Sequence, residues 1–129
     1  MGSVYQSLSR LPHFRCLGAA DSDVIAEAEA DLGLSFARDY RGYLEDCSFA
    51  SVNGHELTGI CKSPRLDVVS VTQAERENWP DIDPTWYVLE RTGMDGVVAW
   101  QNADGVVYLS VPGSGYMVAC DSLLEYVKR

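Results

Sequence analysis

The sequence is poor in the residues on which catalysis draws most. It holds two histidines, His13 and His55, in 129 residues, and histidine is the commonest general base near neutral pH. His13 lies in an irregular stretch, whereas His55 follows Asn53-Gly54 at a turn. From there an imidazole is most simply solvated; its catalytic alternative is a pairing with Cys47 or Cys61, which nothing beyond the residue types supports. The four cysteines, Cys16, Cys47, Cys61 and Cys120, form no Cys-x-x-Cys pair. There is also no His-x-x-x-His and no Asp-x-Asp-x-Asp-Gly loop, and Asp81-Ile82-Asp83 offers too few ligands, so no metal site is expected. A free buried cysteine behaves as a small hydrophobe, and all four are read as core thiols. Glycine-rich phosphate loops are missing too. Val111-Pro112-Gly113-Ser114-Gly115 lacks the basic residue and the following helix that a phosphate cradle needs, and it reads as a hairpin loop. No cofactor is expected.

Positive charge is scarce. Ten Lys and Arg against nineteen Asp and Glu give a net charge of -9, which repels phosphate backbones and disfavours direct nucleic-acid binding. The same field speeds encounter with a basic protein, although acidity also serves plain solubility. Long apolar runs are missing: stretches such as Val97-Val98-Ala99-Trp100 fall far short of the roughly 20 residues that span a bilayer. The first residues carry no basic stretch leading into an apolar segment. Met1-Gly2-Ser3-Val4-Tyr5-Gln6 also has Gln6 where a myristoylation signal wants Ser or Thr. A cytoplasmic location without a membrane anchor is the expectation.

What is present is enough apolar material, 47% of residues, to build one core in one domain. Residues 1–20 read as an N-terminal arm with a short helix around Val4 to Arg10, and residues 21–129 as the single domain. Asp21 or Ser22 can cap a helix with Val24, Ile25, Ala28 and Leu32 on one face, stopped by Gly33. Tyr40, Tyr43, Leu44 and Cys47, with Phe36 one turn earlier, predict a second helix packed on the first. From Ala50 onward the pattern predicts short antiparallel strands, first Glu56–Cys61 and Asp67–Val71. Thr72-Gln73-Ala74-Glu75 has the form of a capping box for a short inserted helix ending near Trp79-Pro80. Further strands are expected over 86–91, 97–101, 106–111 and 116–119, with Asn102-Ala103-Asp104-Gly105 joining the middle two as a hairpin. Ser122-Leu123-Leu124-Glu125 is a second capping box, opening a C-terminal helix. The fold class is therefore α+β: a helix pair, a mainly antiparallel sheet of about five to six strands with an inserted helix, and a closing helix.

One surface combines charge with large flat side chains. Glu75, Glu77, Trp79, Asp81, Asp83, Trp86 and Tyr87 fall within the inserted helix and the proline-bounded loop after it, a mixture suited to a protein interface. The competing reading makes Trp79 and Trp86 a cover for the sheet, with the acids as their solvated neighbours.

Val24-Ile25 through Glu29, Leu32-Gly33-Leu34-Ser35-Phe36 and Asp39-Tyr40-Arg41-Gly42-Tyr43-Leu44 resemble the opening of the SUKH superfamily. Gly54-x-Glu56-Leu57-x-Gly59-Ile60, Val71-Thr72 through Arg76, Asp104-Gly105-Val106-Val107-Tyr108 and Ser122 through Val127 follow in that family's order. The resemblance spans roughly residues 22–128. It departs at Ala37, where the family usually has Pro to begin the second helix, and it leaves the arm uncovered. It implies a non-enzymatic protein-binding module, in bacteria typically an immunity protein that neutralises a polymorphic toxin, often a nuclease. It also admits a regulatory or scaffolding role on the same fold. The expected partner is a basic toxin domain, and the chain itself a monomer or a homodimer paired through an exposed sheet edge.

Overall fold

A computed structural model describes residues 3–129; Met1 and Gly2, on which the acylation reading starts, lie outside the described residues. Helix α1 covers Ser3–Ser9, and β1 (Arg15–Cys16) follows it. In α1 Leu8 is fully buried, and Leu11 and Phe14 beyond it pack against the main core.

Helix α2 (Ser22–Leu32) is capped by Asp21, not Ser22: the carboxylate accepts the Asp23 N–H at 3.0 Å. Gly33 ends it with φ 69°, a conformation that costs glycine little. Ile25, Ala28 and Leu32 face inward, whereas Val24 is 43% exposed. Helix α3 (Arg38–Cys47) presents Tyr40, Tyr43, Leu44 and Cys47 to the core, as the 3.6-residue period predicts. Ala37 caps α3 without a side-chain bond. Instead its N–H donates to the Tyr87 hydroxyl at 3.0 Å, a bond that a proline at this position has no hydrogen to make.

The strands divide into two antiparallel sheets, one of three strands and one of four. The first joins β1 to β2 (Ala50–Val52) and β3 (His55–Glu56) through a two-residue turn. There Asn53 and Gly54 take φ 51° and 83°, the double positive φ that suits a tight hairpin. The expected strand over Glu56–Cys61 keeps only Glu56. The expected strand over Asp67–Val71 is instead the first turn of α4 (Val68–Asn78). Asp67 caps this helix by accepting the Ser70 N–H at 3.2 Å, so the helix begins ahead of the Thr72-x-x-Glu75 box. Val68, Val71, Thr72 and Glu75 share its buried face at i, i+3, i+4, i+7. Thr72, in the helix interior, accepts the Val88 N–H at 3.0 Å and ties the helix to the sheet.

The second sheet runs β4 (Tyr87–Arg91), β5 (Val98–Gln101), β6 (Val107–Val111), β7 (Gly115–Cys120) in order. Asn102–Gly105 closes the β5–β6 hairpin as expected, with Gly105 at φ 95° and the Asn102 side chain accepting the Asp104 and Val106 N–H groups. Helix α5 (Leu123–Val127) is capped by Ser122, which accepts the Glu125 N–H at 3.1 Å. Glu125 reaches back to the Asp121 N–H, one residue beyond the usual box.

The main core gathers the helix faces on Tyr87, Leu89, Ala99 and Val107. Phe36, Tyr40, Tyr43 and Tyr87 meet edge-on or tilted, with centroids 4.9–5.3 Å apart. Such pairs add about 0.5–1.5 kcal/mol each beyond their burial. A smaller cluster, Val71, Ile82, Trp86, Val88, Val98 and Trp100, lies between α4 and the four-stranded sheet.

Candidate partner-binding surface

The structure divides the seven residues of the charged aromatic segment. Glu75 is buried: one carboxylate oxygen accepts from Arg91 Nε at 2.6 Å and the other from Asn78 Nδ2 at 3.2 Å. Trp86 is 7% exposed and stacks on Tyr108, with centroids 3.9 Å apart and planes 14° from parallel. Tyr87 is wholly buried; its hydroxyl accepts from Ala37 and donates to Gln101 Oε1 at 2.5 Å. Glu75, Trp86 and Tyr87 therefore serve packing and internal bonding. Glu77, Asp81 and Asp83 are exposed, and Trp79 is half-buried against the smaller cluster.

The loop holding the outer group is pinned. Ile82 N–H donates to Trp79 C=O and Trp86 N–H to Asp83 C=O, each at 3.1 Å. Arg76 donates through Nη2 to the Leu32 and Pro84 carbonyls at 3.1 and 2.8 Å, while burial lowers its pKa. Asp83 accepts from the Thr85 hydroxyl and N–H, and these bonds hold its carboxyl below the usual range. Trp79 borders a groove of about 630 Å³ between the end of α4 and the turns at Gly93–Gly96 and Pro112–Gly113. The arrangement is a fixed ridge, one indole among three solvated carboxylates.

His55 is not a solvated turn residue. Its Nδ1 lies 2.8 Å from Glu90 Oε1, and its ring leans on Tyr126 with centroids 4.8 Å apart. The same Glu90 oxygen accepts the Tyr126 hydroxyl at 2.6 Å, and Oε2 accepts the Glu56 N–H at 2.7 Å. This buried carboxylate thereby joins β3, β4 and α5. The hydrogen bond of His55 goes to Glu90 rather than to a thiol. Burial, then the neighbouring Cys16 thiol, pushes Cys47 up to about 12, so it is a thiol and a poor nucleophile at neutral pH. Burial also raises Cys61 and Cys120, both half-buried. Cys16 departs from the expected core placement: it is exposed on the two-residue β1, at the rim beside the buried Cys47 thiol.

A second acidic surface escaped the sequence reading. Asp39, Glu45, Asp46, Asp104 and Asp121 line a groove of about 600 Å³ beside Arg38 and Arg41. Arg41 is already paired with Glu29. Asp39 is anchored at both oxygens, by Gln101 Nε2 at 3.0 Å and by the Leu123 N–H at 2.8 Å. Gln101, fully buried, also donates to the Gly105 carbonyl. A chain of bonds from Ala37 through Tyr87, Gln101 and Asp39 to Leu123 thus positions α3, the β5–β6 hairpin and α5 around this groove. Its residues come from segments some 80 positions apart, and on α3 alone they read as an ordinary solvated face.

Among the described residues, no group of three or more His, Cys, Asp or Glu side chains is arranged to hold a metal, and no helix is long and apolar enough to cross a membrane. A family model described as SUKH_5, SMI1-KNR4 cell-wall, matches residues 4–129, which takes in most of the N-terminal arm. No curated protein matches the chain.

Proposed function

Since the chain belongs to the SUKH_5 family, whose wider group is associated with toxin immunity or cell-wall regulation and supplies protein-binding modules, we propose that it is an immunity protein. It binds a polymorphic toxin in the bacterial cytosol and neutralises it stoichiometrically, without chemistry of its own. The match over nearly the whole chain carries this reading. The net charge of -9 supports a basic toxin, a nuclease above all, because acidic side chains compete with nucleic acid for a basic cleft. Glu77, Trp79, Asp81 and Asp83 are the proposed contact ridge. Its half-buried indole supplies the anchor, and its acids steer the approach.

Co-expression with the product of the neighbouring gene tests the proposal. Survival of cells that the neighbour alone kills, together with co-purification of the two chains, is the expected result. A neighbour that is neither toxic nor bound would count against it. The family's association with cell-wall regulation favours one other reading, a regulatory or scaffolding module. In that case the chain would capture a resident protein of its own cell, and its deletion would alter growth with no toxin present.

A further inference from the structure

The backbone holds Cys16 and Cys47 side by side. Cys16 lies opposite Ala50 in the register of β1 and β2. Just after it, the Leu17 N–H donates to the Phe49 carbonyl at 3.1 Å and the Gly18 N–H to the Cys47 carbonyl at 3.2 Å. Ser48, at φ 55°, completes the contact, its hydroxyl donating to the Gly18 carbonyl at 2.6 Å. Residues 16–18 are thus strapped to residues 47–50, and the Cys16 thiol is a hydrogen-bonding neighbour of the Cys47 thiol. The two differ in access: Cys16 is exposed on β1, whereas Cys47 is 0% exposed at the end of α3. The other two thiols are engaged elsewhere, Cys61 with the Ser63 carbonyl at 3.6 Å and Cys120 with the Ser122 carbonyl at 3.5 Å.

We propose that Cys16 and Cys47 form a reversible disulfide, closed by a small-molecule disulfide such as oxidised glutathione, that ties the N-terminal arm to the domain. Cys16 is the thiol that the reagent can reach. Its sulfur gives up a proton and attacks one sulfur of the reagent, whose S–S bond breaks and releases one glutathione that takes up a proton. Cys47 then loses its proton, attacks the Cys16 sulfur and displaces the second glutathione, which is protonated in turn. Two cysteine thiols lose two electrons, and the reagent is reduced to two thiols. Because Cys47 is buried, the second step is the slow one. The bond closes the chain from residue 16 to residue 47, around α2 and α3. Without it the sheet holds the arm only through β1, two residues long, although Leu8 of the arm sits in the main core. A cross-link removes freedom chiefly from the unfolded chain, so the oxidised form is the more stable. This proposal does not depend on the toxin reading.

Incubation of the full chain with excess oxidised glutathione tests it. Peptide mapping without reductant should find Cys16 joined to Cys47, with Cys61 and Cys120 still open to a thiol reagent. The melting temperature should rise by roughly 5–15 °C and return to its starting value on addition of dithiothreitol. Cys16→Ser, at an exposed position, should fold as the parent does and show neither the bond nor the thermal shift. Cys47→Ala should stop at the mixed disulfide, with glutathione retained on Cys16. Glutathione that stays on Cys16 of the parent chain overturns the proposal, because Cys47 then fails to displace it. Four thiols left free, a bond to Cys61 or Cys120, or a Cys16–Cys47 bond that brings no thermal gain overturns it equally.

Discussion

Replacing Glu90 with Gln separates an internal network from a working site. The native carboxylate is 5% exposed and receives three donors, from Tyr126, Glu56 and the His55 ring. Glutamine keeps the shape and removes the charge. Its single carbonyl oxygen must face the Glu56 N–H, which cannot reverse, while its amide group faces the Tyr126 hydroxyl and the imidazole, both able to accept. Three bonds to a charged group, about 1.5–3 kcal/mol each, become neutral bonds of about 0.5–1.5 kcal/mol. The easier burial of an amide offsets part of that loss. The net expectation is a destabilisation of about 1–3 kcal/mol, or a urea midpoint lower by about 1 M at a typical slope for a small domain. Toxin affinity should be unchanged, because the ridge is built on α4 and the loop after it. A variant within about 0.5 kcal/mol of the parent would refute the network. A fully folded variant that no longer binds would show that His55 and Glu90 belong to the functional surface.

Three further outcomes follow from the same structure. Gly59→Ala should abolish folded protein, because a β-carbon there would lie 2.1 Å from the Ser48 carbonyl oxygen and 2.9 Å from the Phe49 α-carbon, backbone atoms that cannot step aside. Soluble yield and circular dichroism read the result. Burial raises the phenols of Tyr40, Tyr43, Tyr87 and Tyr126, the last also through the Glu90 charge. A raised folded pKa gives stability that is whole below the unfolded value, about pH 10, and is lost above it, at up to about 5 kcal/mol per pH unit for four groups. The share of tyrosinate absorbance that these four of the seven tyrosines contribute should therefore rise together with the loss of circular dichroism. Finally, Glu77→Lys and Asp81→Lys together, which spare the Asp83 carboxylate bonded to Thr85, should leave stability within about 1 kcal/mol and slow association with a basic toxin at least about tenfold at low salt, as measured by stopped-flow.

Much of this architecture is legible locally. Tyr40, Tyr43, Leu44 and Cys47 declare α3 by period, Asp21 and Gly33 bracket α2, and Asn102–Gly105 announces its hairpin. The reading fails where two periods coincide. Val68, Val69 and Val71 satisfy strand propensity, and only Asp67, four residues before Val71, marks the helix start that wins. Glu75 and Tyr87 look like surface partners because their internal mates, Arg91 and Gln101, become neighbours only when the sheet forms. Glu90 gives no local sign at all: its donors come from positions 55, 56 and 126. The groove around Asp39, Asp104 and Asp121 was likewise invisible, being assembled from three distant segments.

The most direct measurement is an inhibition titration of the purified toxin domain with this chain. Stoichiometric neutralisation predicts that toxin activity falls linearly to nothing at one equivalent and returns when the complex is dissociated by high salt. Complete loss at a small fraction of an equivalent, or loss that persists after separation, would mean that the chain modifies its target chemically. That result would contradict a purely binding protein.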